Sequence, residues 1–339
     1  MTASLPPLAA GVRVTVVVCA FTEDRWDQIQ RAVASLHRQT RSPDEVLVVI
    51  DHNEALLERA RAGLDANVLR NVAAQGLSGA RNSGCAAACG DLIAFLDDDA
   101  HAEPDWLERL LAAYAEPGVL GVGGGVEAAF DSPRPAFLPT EFDWVVGCSY
   151  RGQPTARADV RNMIGANMSF RREVFSRVGG FEQSLGRIGS RPLGCEETEL
   201  CLRAQAAWPE GRIVLEPAAR VHHAVPDARA TWRYFMSRCY AEGLSKAAVA
   251  RLAGAGRGLA SERRYATRTL PTGVARGLSD ALLRRRSEGL TRAAAICVGL
   301  ALTTIGYASG WTRWPAHRRE HVGRRNSAHD RPDARSLVA

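Results

Sequence analysis

Hydrophobic and polar positions along the chain fall into two alternating patterns. Of four short runs, VTVVVCA (14–20) is continuous, apolar and β-branched, as expected of a strand covered on both faces, and EVLVVID (45–51), ANVLRNV (66–72) and DLIAFL (91–96) read as three further strands. Between them, helical spacing predicts a helix over 24–40 through Ile29, Val33 and Leu36, and another over 54–63. LSGARNSGCAAACG (77–90) reads as a helix with Ser78 as N-cap and Gly90 as its stop. A further helix is expected over 104–115, with Pro104 in the tolerant first turn. Strands alternating with helices imply an α/β, Rossmann-like doubly wound sheet of parallel strands. Residues 126–195 are less regular, broken by Pro133, Pro135, Pro139 and Pro154. Helices are expected over 170–178, 196–208 and 229–252, with one more strand over 212–217.

The segment AAAICVGLALTTIGYASGWT (293–312) holds 20 residues without a charge, between Arg292 and Arg313. It is long enough to span a bilayer, though rich in Ala, Gly, Ser and Thr. Charge sharpens this picture. Residues 251–339 carry 17 arginines against 6 carboxylates, whereas residues 1–250 carry a net charge of −5. A basic, partly apolar tail on a mildly acidic body points to an anionic surface, and a membrane-seated segment is preferred over a helix buried in a soluble body. Few aromatic residues interleave the arginines, so nucleic-acid binding is not expected. The eight cysteines form no C-x-x-C pair, which disfavours zinc and a disulfide framework. The start, MTASLPPLAAGVR, has no signal-peptide pattern, and the body is expected at the cytoplasmic side.

Open parallel sheets bind ligands beyond the carboxyl ends of their strands. Asp51 ends the second strand, and Asp97, Asp98 and Asp99 end the fourth. Three adjacent carboxylates repel one another unless a positive charge sits among them. In extended chain Asp97 and Asp99 would share a face and Asp98 would point elsewhere. Two carboxylates on one face suit a hard divalent cation that also takes phosphate oxygens. Arg81, among small residues at the start of a helix, is placed to meet a phosphate or a base, although a surface arginine is the commoner case. Glu196, Glu197 and Glu199 in CEETELCLR (195–203) either serve a helix dipole or supply a general base. His222 and His223, after the late strand, are candidates for a metal site or for a structural role.

Taken together, VVVCAFTEDR, VLVVIDHN, GLSGARNSG, IAFLDDDAHAEPDWL, GANMSFRREVFSRVGGF and EETELCLR resemble, in order and spacing, the blocks of family 2 glycosyltransferases. The resemblance covers roughly 12–225 and implies the GT-A fold and an inverting, nucleotide-sugar-dependent enzyme. FLPTEFDWVVGCSYRG (137–152), RNMIGANMSFRREVF (161–175), LGRIGSRPLGCEETELCLR (185–203) and the apolar C-terminal segment are similar to glucosyl-dolichyl-phosphate glucuronosyltransferases. That narrower likeness implies a UDP-sugar donor, a polyprenyl- or dolichyl-phosphate-linked sugar or other glycan as acceptor, and Mg²⁺ or Mn²⁺ as cofactor. By the family pattern Thr22 and Asp51 would border the nucleobase and Arg81 would lie by the nucleotide. Asp97 or Asp98 would face the ribose and Asp99 the metal. Glu197 matches the position of the catalytic base, with Glu196 as its rival, because the usual Gly-Glu-Asp reads Cys195-Glu196-Glu197 here. His223 fits a metal or diphosphate contact.

The expected organisation is a disordered start (1–11), a catalytic domain (12–228), a helical, basic, membrane-associating region (229–312) and a disordered basic tail (313–339), held at the cytoplasmic face of the membrane. The reaction implied is a single in-line displacement at the anomeric carbon, moving a hexose or hexuronic acid in cell-surface glycan synthesis. A glycosyltransferase acting on a soluble or glycolipid acceptor is the nearest alternative. A nucleotidyltransferase would need a basic, glycine-containing loop after the first strand, where AFTEDRWD is acidic. A non-catalytic membrane scaffold would be expected to lack the aspartates or the base.

Overall fold

The computed structural model describes residues 5–8, 11–187, 194–253, 260–283 and 287–313. The sequence expectations for residues 1–4, 9–10 and 188–193, and for the basic tail 314–339, lie outside the described residues. Each of the four apolar runs forms a strand: β1 (Val14–Ala20), β2 (Glu45–Ile50), β3 (Asn67–Arg70) and β4 (Leu92–Asp97). They are followed by β5 (Ala100–Ala102), β6 (Val119–Phe130), β7 (Ala158–Val160), β8 (Asn167–Arg171) and β9 (Arg212–Val225). The strands make one mixed sheet in the order β3-β2-β1-β4-β8-β6-β9-β5, with β7 paired to β9. Strands β3, β2, β1 and β4 are parallel, as the alternating pattern implies; β8 runs antiparallel to both its neighbours, and β6 and β9 are parallel to each other.

Helices cover both faces, which explains why the central strands are apolar at nearly every position. Val14, Val16 and Val18 pack towards α1 (Trp26–His37), α2 (Glu54–Gly63) and α4 (Trp106–Ala113). Val17, Leu47 and Val49 pack towards α3 (Leu77–Ala87) and α6 (Glu196–Ala207) on the other face. Helix α5 (Arg172–Val178) follows β8 directly.

Several boundaries differ from the sequence reading. The N-cap of α3 is Gly76, not Ser78; Ser78 lies inside the helix and its hydroxyl donates to the Leu185 carbonyl at 2.9 Å. That helix ends at Ala87, and Gly90 instead donates its backbone N–H to the Thr15 hydroxyl. The segment expected as one helix from residue 24 opens as a 3₁₀ turn, Glu23–Arg25, capped by Thr22. Pro104 sits in the turn ahead of α4. Strand β9 runs on to Val225, well past the expected end at 217.

The sequence places no element over 116–125 and irregular structure over 126–195, and so misses β6, β7 and β8. The glycines Gly123, Gly124 and Gly125 hide β6, because glycine is poor in strands. They are needed there: a Cβ on Gly124 would lie 2.0 Å from the Ala219 carbonyl oxygen and 2.3 Å from the Asn167 side-chain nitrogen. Opposite this point β9 carries three extra residues, since Gly124 pairs with Glu216 while Gly125 pairs with Arg220. An odd insertion inverts the alternation downstream. It turns Val221, His223 and Val225 to the buried face.

The C-terminal region is helical: α7 (Trp232–Ala253), α8 (Ala260–Arg264), a five-residue π-helical turn (Tyr265–Thr269), α9 (Leu270–Leu283) and α10 (Glu288–Arg313). The uncharged segment thus lies inside α10, which is long and apolar enough to cross a bilayer. It packs by one face only. Gly243 of α7 and Gly306 of α10 bring the two backbones together, and Gly299 lies against Phe142 and Phe235. Val298, Ile305 and Trp311 remain exposed on α10.

Candidate active site

Asp51 and the aspartate trio line one cavity of about 1550 Å³ that extends from the sheet crevice to α10. Asp51, at the end of β2, uses Oδ1 to accept from the Asn71 side-chain amide at 2.6 Å and Oδ2 to accept from the Gly76 backbone N–H at 2.9 Å. It therefore ties the end of its strand to the loop that starts α3. Phe21, His52 and Asn53 border this end of the cavity. The Thr22 hydroxyl turns into its own loop, capping Asp24 N–H and lying 3.0 Å from the Asp24 carboxylate.

Strand β4 ends at Asp97, and a turn carries Asp98 and Asp99 into β5. The turn, not strand alternation, brings Asp97 and Asp99 together. With His223 they offer three donor atoms lying within 4.8 Å of one another. Asp98 departs from this group to meet Arg25, whose Nη1 donates to Asp98 Oδ1 at 2.7 Å and lies 3.1 Å from Asp99 Oδ2. His223 Nε2 sits 3.1 Å from Asp99 Oδ1, and Arg229 Nη1 sits 3.3 Å from Asp99 Oδ2. Three cationic side chains thus surround Asp99. Burial pushes its carboxyl up, but His223, Arg25 and Arg229 override this and hold it well below the usual carboxylate range. Burial disfavours the charged form of His223, yet Asp99 raises the imidazole to about 10. Asp98 goes the other way: burial, opposed by Arg25 and reinforced by Asp99, pushes it to about 7.

Arg81 is 2% exposed. Its guanidinium donates to Glu196 Oε1 at 2.7 Å, to Asp97 Oδ1 at 3.3 Å and to the Gly165 carbonyl at 3.0 Å. It is a buried bridge between the aspartate cluster and α6, not the surface arginine that statistics favour. Glu196 is consequently pinned, while Glu197, half-buried on the cavity wall, accepts from the Thr198 hydroxyl at 3.1 Å. Burial, then the neighbouring charge of Glu196, raises the Glu197 carboxyl to about 8. The residue before them, Cys195, caps α6 with φ +71°, a left-handed conformation that glycine adopts without strain. His222 points away from the site, to Glu103 at 3.2 Å and into a stack with His101.

The sequence reading missed Arg25 and Arg229. Arg25 is the last residue of the 3₁₀ turn after β1 and Arg229 the last residue of a second such turn after β9, so no local pattern marks them. Two carboxylate oxygens in this wall, Asp98 Oδ2 and Glu196 Oε2, are buried without a hydrogen-bond partner among the described residues. An orphaned buried acceptor costs about 1–3 kcal/mol. Two carboxylates, an imidazole and these orphan oxygens fit a hard divalent cation and a ligand with donor groups. To ligate such an ion His223 would have to be neutral.

Comparison with known proteins agrees with this geometry. Residues 15–179 match the family described as Glycosyl transferase family 2. Over 240 residues the chain is 36% identical to the glucosyl-dolichyl phosphate glucuronosyltransferase of Haloferax volcanii, covering 69% of this chain and 76% of that one. Over 239 residues it is 28% identical to the succinoglycan biosynthesis protein ExoM of Rhizobium meliloti, covering 68% and 73%. The structure of a mannosyltransferase from Pyrobaculum calidifontis, in complex with GDP-Man and Mn²⁺, aligns with TM-score 0.58 and 19% identity over 91% of this chain and 90% of that one.

Proposed function

The chain belongs to glycosyltransferase family 2 and has the GT-A fold, and from this premise we propose that it transfers a sugar from a UDP-sugar to a sugar carried on a polyprenyl or dolichyl phosphate. The observation that carries the reading is one cavity holding a divalent-cation donor set, an ionisable carboxyl of raised pKa and, at its far end, an apolar helix. The 36% identical relative, named for its action on glucosyl-dolichyl phosphate, supports a lipid-linked acceptor. A hexose or hexuronic acid is the proposed cargo. Residues 12–228 form the catalytic unit in this reading, and 229–312 associate with the cytoplasmic face of the membrane.

In the proposed mechanism, Asp97, Asp99 and His223 would hold Mg²⁺ or Mn²⁺. When bound, the ion neutralises charge that develops on the departing diphosphate. Asp51 receives the nucleobase, bordered by Phe21, His52 and Asn53, Thr22 holds the turn after β1, and Asp98 or Asp97 faces the ribose. Arg81 positions Asp97 and Glu196 from beneath. Glu197 accepts the proton of the attacking acceptor hydroxyl, whose oxygen bonds to the anomeric carbon as the bond from that carbon to the diphosphate oxygen breaks. UDP leaves with the electron pair, and attack opposite the leaving group inverts the anomeric centre.

The test is turnover of a panel of UDP-sugars on polyprenyl-phosphate glucose, with and without chelator. Activity should require Mn²⁺ or Mg²⁺ and be lost in Asp99→Asn, together with Mn²⁺ binding followed by electron paramagnetic resonance. Full turnover by Asp99→Asn would overturn the metal assignment. Consumption of no UDP-sugar by the wild-type enzyme on this acceptor would overturn the function.

A further inference from the structure

The far end of the cavity is built by the C-terminal helices. Arg264 ends α8 and Arg268 lies in the π-helical turn that follows; both line the cavity and both are exposed, so the cavity reaches solvent between them. At a spacing of four residues on a helical turn their side chains project from the same side. Neither guanidinium has a carboxylate or hydrogen-bond partner among the described residues. Other arginines of the chain are held by carboxylates, among them Arg161 with Glu262, Arg203 with Glu199 and Arg212 with Glu116; Arg264 and Arg268 both line the cavity.

Two further observations tie this pair to the reaction. The π-helical turn is an irregular form that occurs mostly at functional positions. It is also locked to the catalytic end. The Tyr265 hydroxyl accepts from Trp144 Nε1 at 3.1 Å and is itself hydrogen-bonded to the Glu141 carbonyl, while the Tyr265 ring meets Tyr150 edge-on at 5.5 Å between centroids. Gly147, in the same 140–153 segment, lies against the His223 ring, where a Cβ would be 3.5 Å from the imidazole. Helix α10 presents Leu300, Thr303, Thr304 and Tyr307 to the same cavity.

Resting on the lipid-linked acceptor proposed above, we infer that Arg264 and Arg268 clamp the phosphate of the carrier lipid. The planar donors of arginine suit phosphate oxygens, and two on one turn bind a phosphate from one side. The acceptor sugar then reaches inward to Glu197, and the prenyl chain leaves along the exposed apolar side of α10. The donor enters from the opposite end, at Asp51. The same chemistry would take any anionic lipid headgroup, so the test must separate the two.

The full-length enzyme is assayed on polyprenyl-phosphate glucose and on octyl glucoside, an acceptor with no phosphate, in wild-type, Arg264→Ala/Arg268→Ala and Arg264→Lys/Arg268→Lys forms. The alanine variant should raise KM for the phospholipid acceptor at least about tenfold, leave the KM for UDP-sugar unchanged and leave octyl glucoside turnover unchanged. The lysine variant should recover part of the loss. Binding to vesicles containing polyprenyl phosphate should fall in the alanine variant, while binding to phosphatidylglycerol vesicles of equal charge should not. An unchanged KM for the phospholipid acceptor, or an equal loss on phosphatidylglycerol, would overturn the clamp. If wild-type enzyme turns over octyl glucoside but not the phospholipid acceptor, the acceptor reading fails instead.

Discussion

Glu197 sits beside a carboxylate that resists its ionisation, and this makes its role measurable. Its carboxyl rises from 4.5 to about 8 on folding, through burial first and Glu196 second. The native state therefore binds that proton more tightly than the unfolded chain. The stabilisation is complete below pH 4.5 and is lost as pH climbs through 8. A base works only when deprotonated, so kcat/KM should rise with pH along a limb centred near 8. In Glu197→Gln the rate should fall by about 10²–10⁴. In Glu196→Gln the limb should move to lower pH, because one repelling charge is gone, and Arg81 should lose a buried partner, lowering stability. Loss of the rate in Glu196→Gln with full activity in Glu197→Gln would transfer the base to Glu196. At this scale the sequence was informative where residues are neighbours. Asp97, Asp98 and Asp99 announce a charge problem by adjacency alone. Their answer in this structure comes from two distant segments, Arg25 after β1 and His223 with Arg229 around the end of β9; of these only His223 stood in a recognisable block.

Among the elements, the legible ones are those whose hydrophobic period matches their burial. β1 and β4 are buried along almost their whole length and could be drawn from their apolar runs. β6 could not, because close approach of three strands at Gly124 demands residues that weaken a strand on its own. Gly124→Ala should cost about 3 kcal/mol or more, since its Cβ meets a backbone carbonyl and the fully buried Asn167 amide with no room to yield. Urea unfolding would show this as a lower midpoint at unchanged slope; an unaltered midpoint would mean that β9 can move away from β6. The same substitution should also lower activity, because Asn167 donates to the Gly125 and Ala219 carbonyls and so fixes the inserted residues of β9 that aim His223. The cap of α3 shows the opposite kind of failure. Ser78 is a good capping residue, but the Gly76 N–H is claimed by Asp51, and that long-range bond moves the helix start back to Gly76.

For the whole molecule, charge and apolarity are divided along the chain as the sequence shows, but their arrangement in space is not what a free anchor would have. Helix α10 packs against α7 and α9 and leaves Val298, Ile305 and Trp311 open, with Leu282 and Leu283 of α9 also exposed. The composition of residues 293–312 could not reveal this, because the glycines that soften its hydrophobicity are the ones that dock it against α7. Two contributions to membrane binding follow, and salt separates them. Arginines near an anionic surface act over roughly 10 Å at 0.1 M salt and are screened above that concentration, whereas burial of apolar side chains is not. Sedimentation with phosphatidylglycerol vesicles should therefore show a salt-sensitive part that weakens when 314–339, with its six arginines, is deleted. A salt-resistant part should disappear in Ile305→Glu/Trp311→Glu, which alters exposed positions and leaves the glycine contacts with α7 in place. Turnover of octyl glucoside should persist in both forms, since neither change reaches Asp99 or Glu197. If the doubly substituted protein still binds vesicles fully in high salt, α10 does not supply the apolar contact, and the exposed leucines of α9 are the next surface to alter.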